Sequence, residues 1–410
     1  MALVVQKYGG SSVADSAKLR QVAQRIGETS KKGYQVLVVV SAMGDTTDEL
    51  IKMAYQVTEQ PENREMDVLL STGELISSTL LTMALSSLGY KAISLSGAQA
   101  GIQTDSNHNS ARIISVGPKR IYDELQKGNI VIVAGFQGIN SGMDTTTLGR
   151  GGSDTTAVAL AASLGAEECQ IYTDVEGIHA ADPRVVPGAV KLEEIGYDEM
   201  LEMASSGARV MHSRAVELGE LYEIPILVAS SFSSTPGTII RKERAMEVRN
   251  RIRGIAHDTN VARVTIQGVP DKPGNAAKIL EPLAKAKVSV DTIILNASAE
   301  KIVDFTFTVS RNDLDKAKTI MTSMIDSLGA REVVTDSSLA KVSIIGTGMQ
   351  NTPGYAALMF RTLYDENINI QLISTSEIKI TCIINEQDAE HAVRALYKSF
   401  ESEITKRIKT

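Results

Sequence analysis

The chain has no tryptophan, and its 410 residues include only two cysteines, five histidines and ten prolines. Each scarcity removes a class of explanation. Cys169 and Cys382 lie far apart in apolar, strand-like runs, so neither a disulfide framework nor a cysteine metal spacing follows, and a reducing, cytoplasmic setting is expected. His108, His179, His212, His257 and His391 form no ligand-spaced pair with cysteine or acid, so no structural metal is expected. Charge of one sign is not in large excess. Lys and Arg number 42 against 49 Asp and Glu, and the net charge of −7 argues against nucleic acid or an anionic membrane as a main partner. Long apolar runs are missing too, since 36–40 and 130–134 have the length of strands and not of membrane spans. The first residues, ending in Lys7-Tyr8-Gly9-Gly10, lack the basic flank and small-residue cleavage site of a secretory signal.

What is present is an ordinary apolar share of 43% on a chain long enough for two or three domains. Residues 1–240 alternate short β-branched runs with helical stretches, the pattern of a layered α/β domain with a mainly parallel sheet. Strands are expected at 3–7, 36–40, 91–95, 130–134, 170–173 and 226–229. Helices are expected at 16–28, 65–88, 118–127 and 155–164, where apolar residues recur three or four apart. Nearly every strand runs straight into Gly, Ser, Thr or Asp, at the carboxyl ends where such sheets place their ligand crevice.

The stretch 241–253 is dense in charge of both signs and reads as a solvated connector. Beyond it the sequence repeats itself. Ala262-Arg263-Val264-Thr265-Ile266-Gln267-Gly268 recurs as Ala340-Lys341-Val342-Ser343-Ile344-Ile345-Gly346, and each copy continues to a Pro-Gly pair, Pro273-Gly274 or Pro353-Gly354. Each copy reads β-α-β-β-α-β, with the last strand weakest in the second.

Four turns of the first domain carry the chemistry. In Lys7-Tyr8-Gly9-Gly10-Ser11-Ser12, glycines let backbone amides close on phosphate oxygens ahead of a helix N-terminus, and Lys7 offers a positive charge to a transferring phosphoryl group. Ser41-Ala42-Met43-Gly44-Asp45-Thr46-Thr47 offers hydroxyls to a small polar substrate, although Asp45 to Thr47 fits an ordinary helix cap better. Leu148-Gly149-Arg150-Gly151-Gly152-Ser153-Asp154 precedes an alanine-rich helix. Capping accounts for Ser153 and Asp154 but not for Arg150 among three glycines, and Arg150 suits bidentate binding of a carboxylate. Tyr172-Thr173-Asp174, with Ala181-Asp182-Pro183-Arg184 after it, fits a nucleotide or a plain structural turn. Glu74 interrupts an apolar helical stretch just after Gly73, either at the surface or facing the crevice to meet an ammonium group.

Together these segments resemble the aspartate kinases of the amino-acid kinase family. The resemblance rests on 7–13, 38–50, 64–74, 131–138, 146–160, 171–174, 181–184 and 374–378, in family order over nearly the whole chain. The repeat resembles tandem ACT domains, modules that bind feedback amino acids. The resemblance implies an amino-acid kinase α/β fold over 1–240, a charged linker with a possible extra ACT strand over 241–258, and ferredoxin-like α+β ACT domains over 259–338 and 339–410. It implies ATP-dependent phosphorylation of the β-carboxylate of L-aspartate, with Mg²⁺ arriving on ATP and no metal held by side chains. That reaction opens the route to lysine, through diaminopimelate, and to threonine and methionine, under feedback by those products.

Carried over by position, Lys7 would stabilise the phosphoryl group and Asp154 would orient Lys7. Tyr8, Gly9, Gly10, Ser11, Thr173, Asp174, His179, Arg184 and Arg209 would meet ATP. Ser41, Thr47, Glu74, Arg150, Gly151, Gly152 and Ser153 would hold aspartate, with Arg150 on its α-carboxylate and Glu74 near its ammonium. The effector, lysine and/or threonine, would meet Asp271, Pro273, Gly274, Asn275, Ala276, Ala277, Val290, Asp291 and Leu295 in the first module. In the second it would meet Ala356, Ala357, Ile370, Gln371, Glu377 and Ile378. Pairing through the ACT domains would make the protein a homo-oligomer. Three positions depart from the family: His179-Ala180 stands for Tyr-Thr, His108-Asn109-Ser110 for His-Gly-Asn, and Leu295 for a glutamine. The rival readings are another amino-acid kinase, acting on glutamate, N-acetylglutamate or a nucleotide, and a catalytically silent amino-acid sensor.

Overall fold

The computed structural model describes residues 2–208, 210–242, 252–295, 301–347, 349 and 353–405. Among these, 2–179, 191–204 and 210–242 form one compact unit, and 180–190, 205–208 and 252–405 form a second.

The first unit is built on an eight-stranded sheet. Its strands are β1 (Leu3–Tyr8), β2 (Gln35–Val40), β3 (Ala92–Leu95), β6 (Ile130–Ala134), β9 (Glu168–Thr173), β10 (Glu194–Ile195), β11 (Ile226–Ser230) and β12 (Thr238–Ile240), in the order β10-β12-β11-β9-β1-β2-β6-β3. All pairings are parallel except β11 with β12. Val36–Val40 of β2 and all of β6 are buried, the continuous apolar run of a parallel strand covered on both faces. A smaller sheet, order β5-β4-β7-β8, is made by β4 (Ile102–Thr104), β5 (Ile113–Val116), β7 (Gln137–Ile139) and β8 (Thr145–Thr147).

Helices α1 (Ser16–Lys31), α2 (Thr46–Val57), α3 (Asn63–Ser87), α4 (Lys119–Gln126), α5 (Gly152–Leu164), α6 (Tyr197–Ser205) and α7 (Ser213–Leu221) complete the layers. Leu19, Val22 and Ile26 of α1 and Leu81 and Leu85 of α3 close over Val36, Val38, Ile130 and Ile132 in one core cluster. The alanines of α5, Ala157, Ala159 and Ala161, bring that helix close to β1 and β2. Asp15 caps α1 by accepting from the amides of Ala17 and Lys18. At 25 residues with a mean hydropathy of 1.5 over its apolar window, α3 matches a bilayer by length and composition. It nonetheless buries Asp67 and Glu74 against protein, as a core helix does.

The second unit holds one six-stranded sheet, order β14-β15-β13-β16-β18-β17, from β13 (Gly254–Pro270), β14 (Ile293–Leu295), β15 (Ile302–Val309), β16 (Glu332–Ile345), β17 (Leu372–Thr375) and β18 (Lys379–Asn385). Its helices are α8 (Asn275–Lys285), α9 (Leu314–Thr322), α10 (Ile325–Leu328), α11 (Tyr355–Asp365) and α12 (Ala389–Thr405). The two long strands serve both repeats. Val264–Gln267 pair with Glu332–Thr335 within the first repeat, while Gly254–Asp258 pair with Lys341–Ile345 within the second. The weak last strand of the second repeat is therefore supplied from upstream of the first.

The likeness extends backward, since Asp258, Val261, Ala262 and Arg263 match Asp336, Leu339, Ala340 and Lys341. Asp258 accepts from the amide of Asn260 as Asp336 does from that of Ser338, each at 2.9 Å. Twin 3₁₀ turns at Arg311–Asp313 and Glu386–Asp388 place Arg311 and Glu386 at equivalent positions, and these two form an ion pair at 2.7 Å. Two pieces of chain from the first 240 residues, 180–190 and 205–208, also belong to this unit. The amide of Ile255 donates to the carbonyl of Ala180 at 2.7 Å, and that of Val190 donates to the Tyr397 hydroxyl at 2.9 Å.

Candidate active site

Three strand ends of the first unit, those of β1, β2 and β9, converge through loop contacts. The turn after β1 lies between the ends of its two neighbours: the Gly9 amide donates to the carbonyl of Tyr172, and the Gly44 amide to that of Gly10. A Cβ on Gly10 would stand 2.8 Å from the carbonyl oxygen of Ala42, so only glycine permits this approach. Ser11 is exposed. Tyr8 is not available as a side chain, because its ring is fully buried and stacks on Tyr172 at 5.0 Å; it can offer a nucleotide backbone groups only.

Lys7 is nearly buried at the end of β1, and its Nζ meets Asp154 Oδ1 at 2.6 Å. Asp154 stands in the first turn of α5, where a negative charge suits the helix dipole. The cap residue there is Gly151, left-handed at φ 67°, with no side-chain cap bond, so neither Ser153 nor Asp154 serves as the cap. Likewise Asp45 precedes α2 without a side-chain cap bond, which withdraws the cap explanation of the Ser41–Thr47 turn in its simple form.

Glu74 is 3% exposed. Its Oε1 accepts from the Ala42 amide at 3.1 Å, while Oε2 is buried without a described hydrogen-bond partner. Burial pushes this carboxyl up to about 8, against the pull of the Ala42 amide. An acid kept neutral with one free oxygen is poised to ionise when a cation arrives. Ser77 Oγ donates to the carbonyl of Ser41, so α3 grips the turn bearing Ser41 and Thr47 from beneath.

Arg150 is exposed and forms no ion pair with a described residue. The loop that carries it is packed tightly. A Cβ on Gly152 would press into the Phe136 ring, and one on Gly151 would enter the imidazole of His212. His212 is a residue that sequence reasoning passed over. Burial and the neighbouring Arg214 hold its imidazole below the usual range, and its buried Nδ1 has no described partner. Arg214 in turn donates to the carbonyls of Leu148 and Ala111 at 2.7 and 3.0 Å.

At the end of β9, Thr173 Oγ1 donates to Asp174 at 3.0 Å, and Asp174 is exposed. His179 bridges to Lys191 in the same unit. Arg184 belongs to the second unit, where it pairs with Asp182 at 2.7 Å, so it is not brought to Thr173 within one unit. Arg209 lies outside the described residues. Among the described residues no group of three or more acids, histidines or cysteines could hold a metal. Asp154 and Asp174 offer only hard, isolated oxygens, a set that fits Mg²⁺ held mainly by nucleotide phosphates. The departure at 108–112 has a simple account: Asn109 adopts φ 64°, so the residue in the glycine's place keeps a left-handed backbone that asparagine tolerates.

In the second unit, Gly274 and Gly354 are left-handed N-caps of α8 and α11, so both Pro-Gly pairs start their helices in the same way. Asp271 sits before this loop, Asn275 Nδ2 ties it to the carbonyl of Pro270, and Ala276, Ala277, Ala356 and Ala357 lie in the first turns. Asp291 and Gln371 occupy equivalent positions, beside Val290 and Ile370. Each is held by the equivalent cation of the other repeat, Lys341 to Asp291 at 2.8 Å and Arg263 to Gln371 at 3.0 Å. Leu295 is half exposed, Glu377 is exposed, and the Ile378 carbonyl accepts from Gly346.

The model of the amino acid kinase family matches residues 2–230, and ACT domain models match 263–325 and 342–400. The aspartate kinase of Pseudomonas putida is 49% identical over 403 residues, covering 98% of both chains, and aspartokinase 2 of Bacillus subtilis is 48% identical over 401 residues with the same coverage. Among solved structures, aspartokinase III of E. coli in complex with aspartate and ADP aligns with a TM-score of 0.82 at 26% identity, over 97% of this chain and 100% of that one. The same enzyme with lysine and aspartate gives 0.73 at 27%, over 97% and 99%. With these likenesses spanning its whole length, the chain belongs to the aspartate kinases of the amino acid kinase family and carries two ACT domains.

Proposed function

We propose that the first unit transfers the γ-phosphoryl group of ATP to the β-carboxylate of L-aspartate, giving 4-phospho-L-aspartate, the first step toward lysine, threonine and methionine. The observation that carries this reading is the Lys7–Asp154 pair, which fixes an ammonium group between the glycine turn after β1 and the N-terminus of α5. The acceptor carboxylate has an ordinary pKa near ~3.9 and is already ionised at neutral pH, so no general base is required. The protein's task is to align two anions and offset their charge. Lys7 faces the phosphoryl group, held in direction by Asp154. The amides of Gly9, Gly10 and Ser11 line the phosphates, with Thr173, Asp174 and His179 on the nucleotide. Arg150 takes the α-carboxylate of aspartate and Glu74 its ammonium, with Ser41, Thr47 and the Gly151-Gly152-Ser153 turn around it. Mg²⁺, when bound with ATP, offsets negative charge on the phosphate oxygens.

The ACT pair is the proposed site of feedback by lysine and/or threonine, at the twin Pro-Gly loops with Asp291 and Gln371, in a cytoplasmic homo-oligomer. The E. coli enzyme solved with lysine supports an amino-acid effector, and the matching left-handed caps Gly274 and Gly354 support two sites.

Trapping the acyl phosphate with hydroxylamine tests the catalytic reading. Aspartyl hydroxamate should accumulate with aspartate and ATP and not with glutamate, and Lys7→Ala should lower kcat by roughly two orders of magnitude or more with the fold intact. No hydroxamate from the purified wild type would sink the reading.

A further inference from the structure

Asp67, on α3, is fully buried, and among the described residues its carboxylate faces no lysine or arginine. Every bond it makes goes to two segments that meet beside the Arg150 loop. His108 Nδ1 lies 2.6 Å from Oδ2, and the Asn109 amide donates to both oxygens at 3.0 and 3.2 Å. Thr147 Oγ1, at the end of β8, donates to Oδ1 at 2.5 Å. An ionised carboxylate accepts from several donors at once and needs no donor of its own, which suits a point where three groups converge. A carboxylate is costly to bury unless its oxygens are bonded, and here His108, the Asn109 amide and Thr147 meet both of them.

The two segments are also bonded to each other. The Ala111 amide donates to the Thr147 carbonyl at 2.9 Å, and a Cβ on Gly149 would stand 3.0 Å from the Asn109 carbonyl oxygen. The result is a brace from α3 through 108–112 to Thr147, three residues before Arg150. Seven residues further along α3, two turns and roughly 10 Å of rise, Glu74 holds the amide of Ala42. One rigid helix therefore anchors both loops assigned to the two ends of the amino acid.

We propose that Asp67 is a positioning residue that sets the height of the Arg150 loop against Glu74, and so sets recognition of the amino-acid substrate without touching it. This rests on the assignment of Arg150 and Glu74 to aspartate. The nucleotide turns after β1 and β9 take no bond from Asp67, so the effect falls on one substrate.

Steady-state kinetics on the full chain tests this. Asp67→Ala strands three donors and should raise KM for aspartate roughly tenfold or more, with KM for ATP within about twofold. Asp67→Asn keeps one acceptor oxygen and should fall between the wild type and Asp67→Ala; it carries the test alone if the alanine variant does not fold. Adding Thr147→Val to Asp67→Ala should cost less than the sum of the two, because both cut one brace. Equal rises in both KM values, a fall in kcat alone, or no change would each overturn the proposal. Absence of aspartyl hydroxamate from the wild type would instead overturn the reading beneath it.

Discussion

Aspartate binding should release a proton from Glu74. In the empty site burial holds this carboxyl at about 8, with one oxygen on the Ala42 amide and the other without a partner among the described residues. At pH 7 it is about nine-tenths protonated, and a substrate ammonium is recognised by the carboxylate form, so binding first costs about 1.4 kcal/mol at that pH. The apparent KM for aspartate then follows one plus the ratio of protonated to ionised Glu74. It should stand about 100-fold above its plateau at pH 6, about 10-fold at pH 7 and about twofold at pH 8. Calorimetry at pH 7 in buffers of different ionisation enthalpy should show about 0.9 proton released per aspartate bound.

Stability gives an independent check with its own sign. The acid is raised in the fold from 4.5 to about 8, so the folded protein binds more protons than the unfolded chain between those values. Stability contributed by neutral Glu74 is thus complete below pH 4.5 and is lost as pH rises toward 8. Glu74→Gln should flatten both profiles while raising KM for aspartate. A wild-type KM that stays level between pH 6 and 8, with no buffer-dependent heat, would refute the reasoning.

Two further outcomes follow from the second unit. Arg311 meets Glu386 across the repeat, at positions that would place like charges together if two copies of one repeat paired. Arg311→Glu should lower the Tm of this unit and Arg311→Glu with Glu386→Arg should restore it; failure of the double exchange to restore it would separate the pair from module pairing. Isothermal titration of lysine and of threonine should give heat with at least one of them, weakened by Asp291→Ala, and silence with both would reject these effectors.

Much of the layered domain was legible because its periodicities are long and undisturbed. The strands at 130–134 and 226–229 and the helix at 16–28 fall where alternation and apolar spacing place them, with ends moved by at most three residues. The small sheet β5-β4-β7-β8 was not, since strands of three or four residues carry no readable period. The role of Asp67 escaped for a different reason: a lone acid on a helix reads as solvated until its burial is seen. Tyr8 stood in a phosphate-binding motif yet turns inward, because alternation along β1 sends it opposite Lys7. The last strand of the second repeat lies about 150 residues upstream of where a linear reading seeks it, after Thr405, and no local pattern could reveal that pairing.

The shared strands β13 and β16 make the repeat inseparable. Excising the first ACT module would cut both strands at their midpoints and leave the border strand of the second, Gly254–Asp258, without its continuation. Severing the chain after Asp258 would rob the second module of its border without touching any residue counted in its own repeat. Such a pair can be inherited or lost only whole. The two modules form a single hereditary part, as indivisible as two rooms built on a common beam.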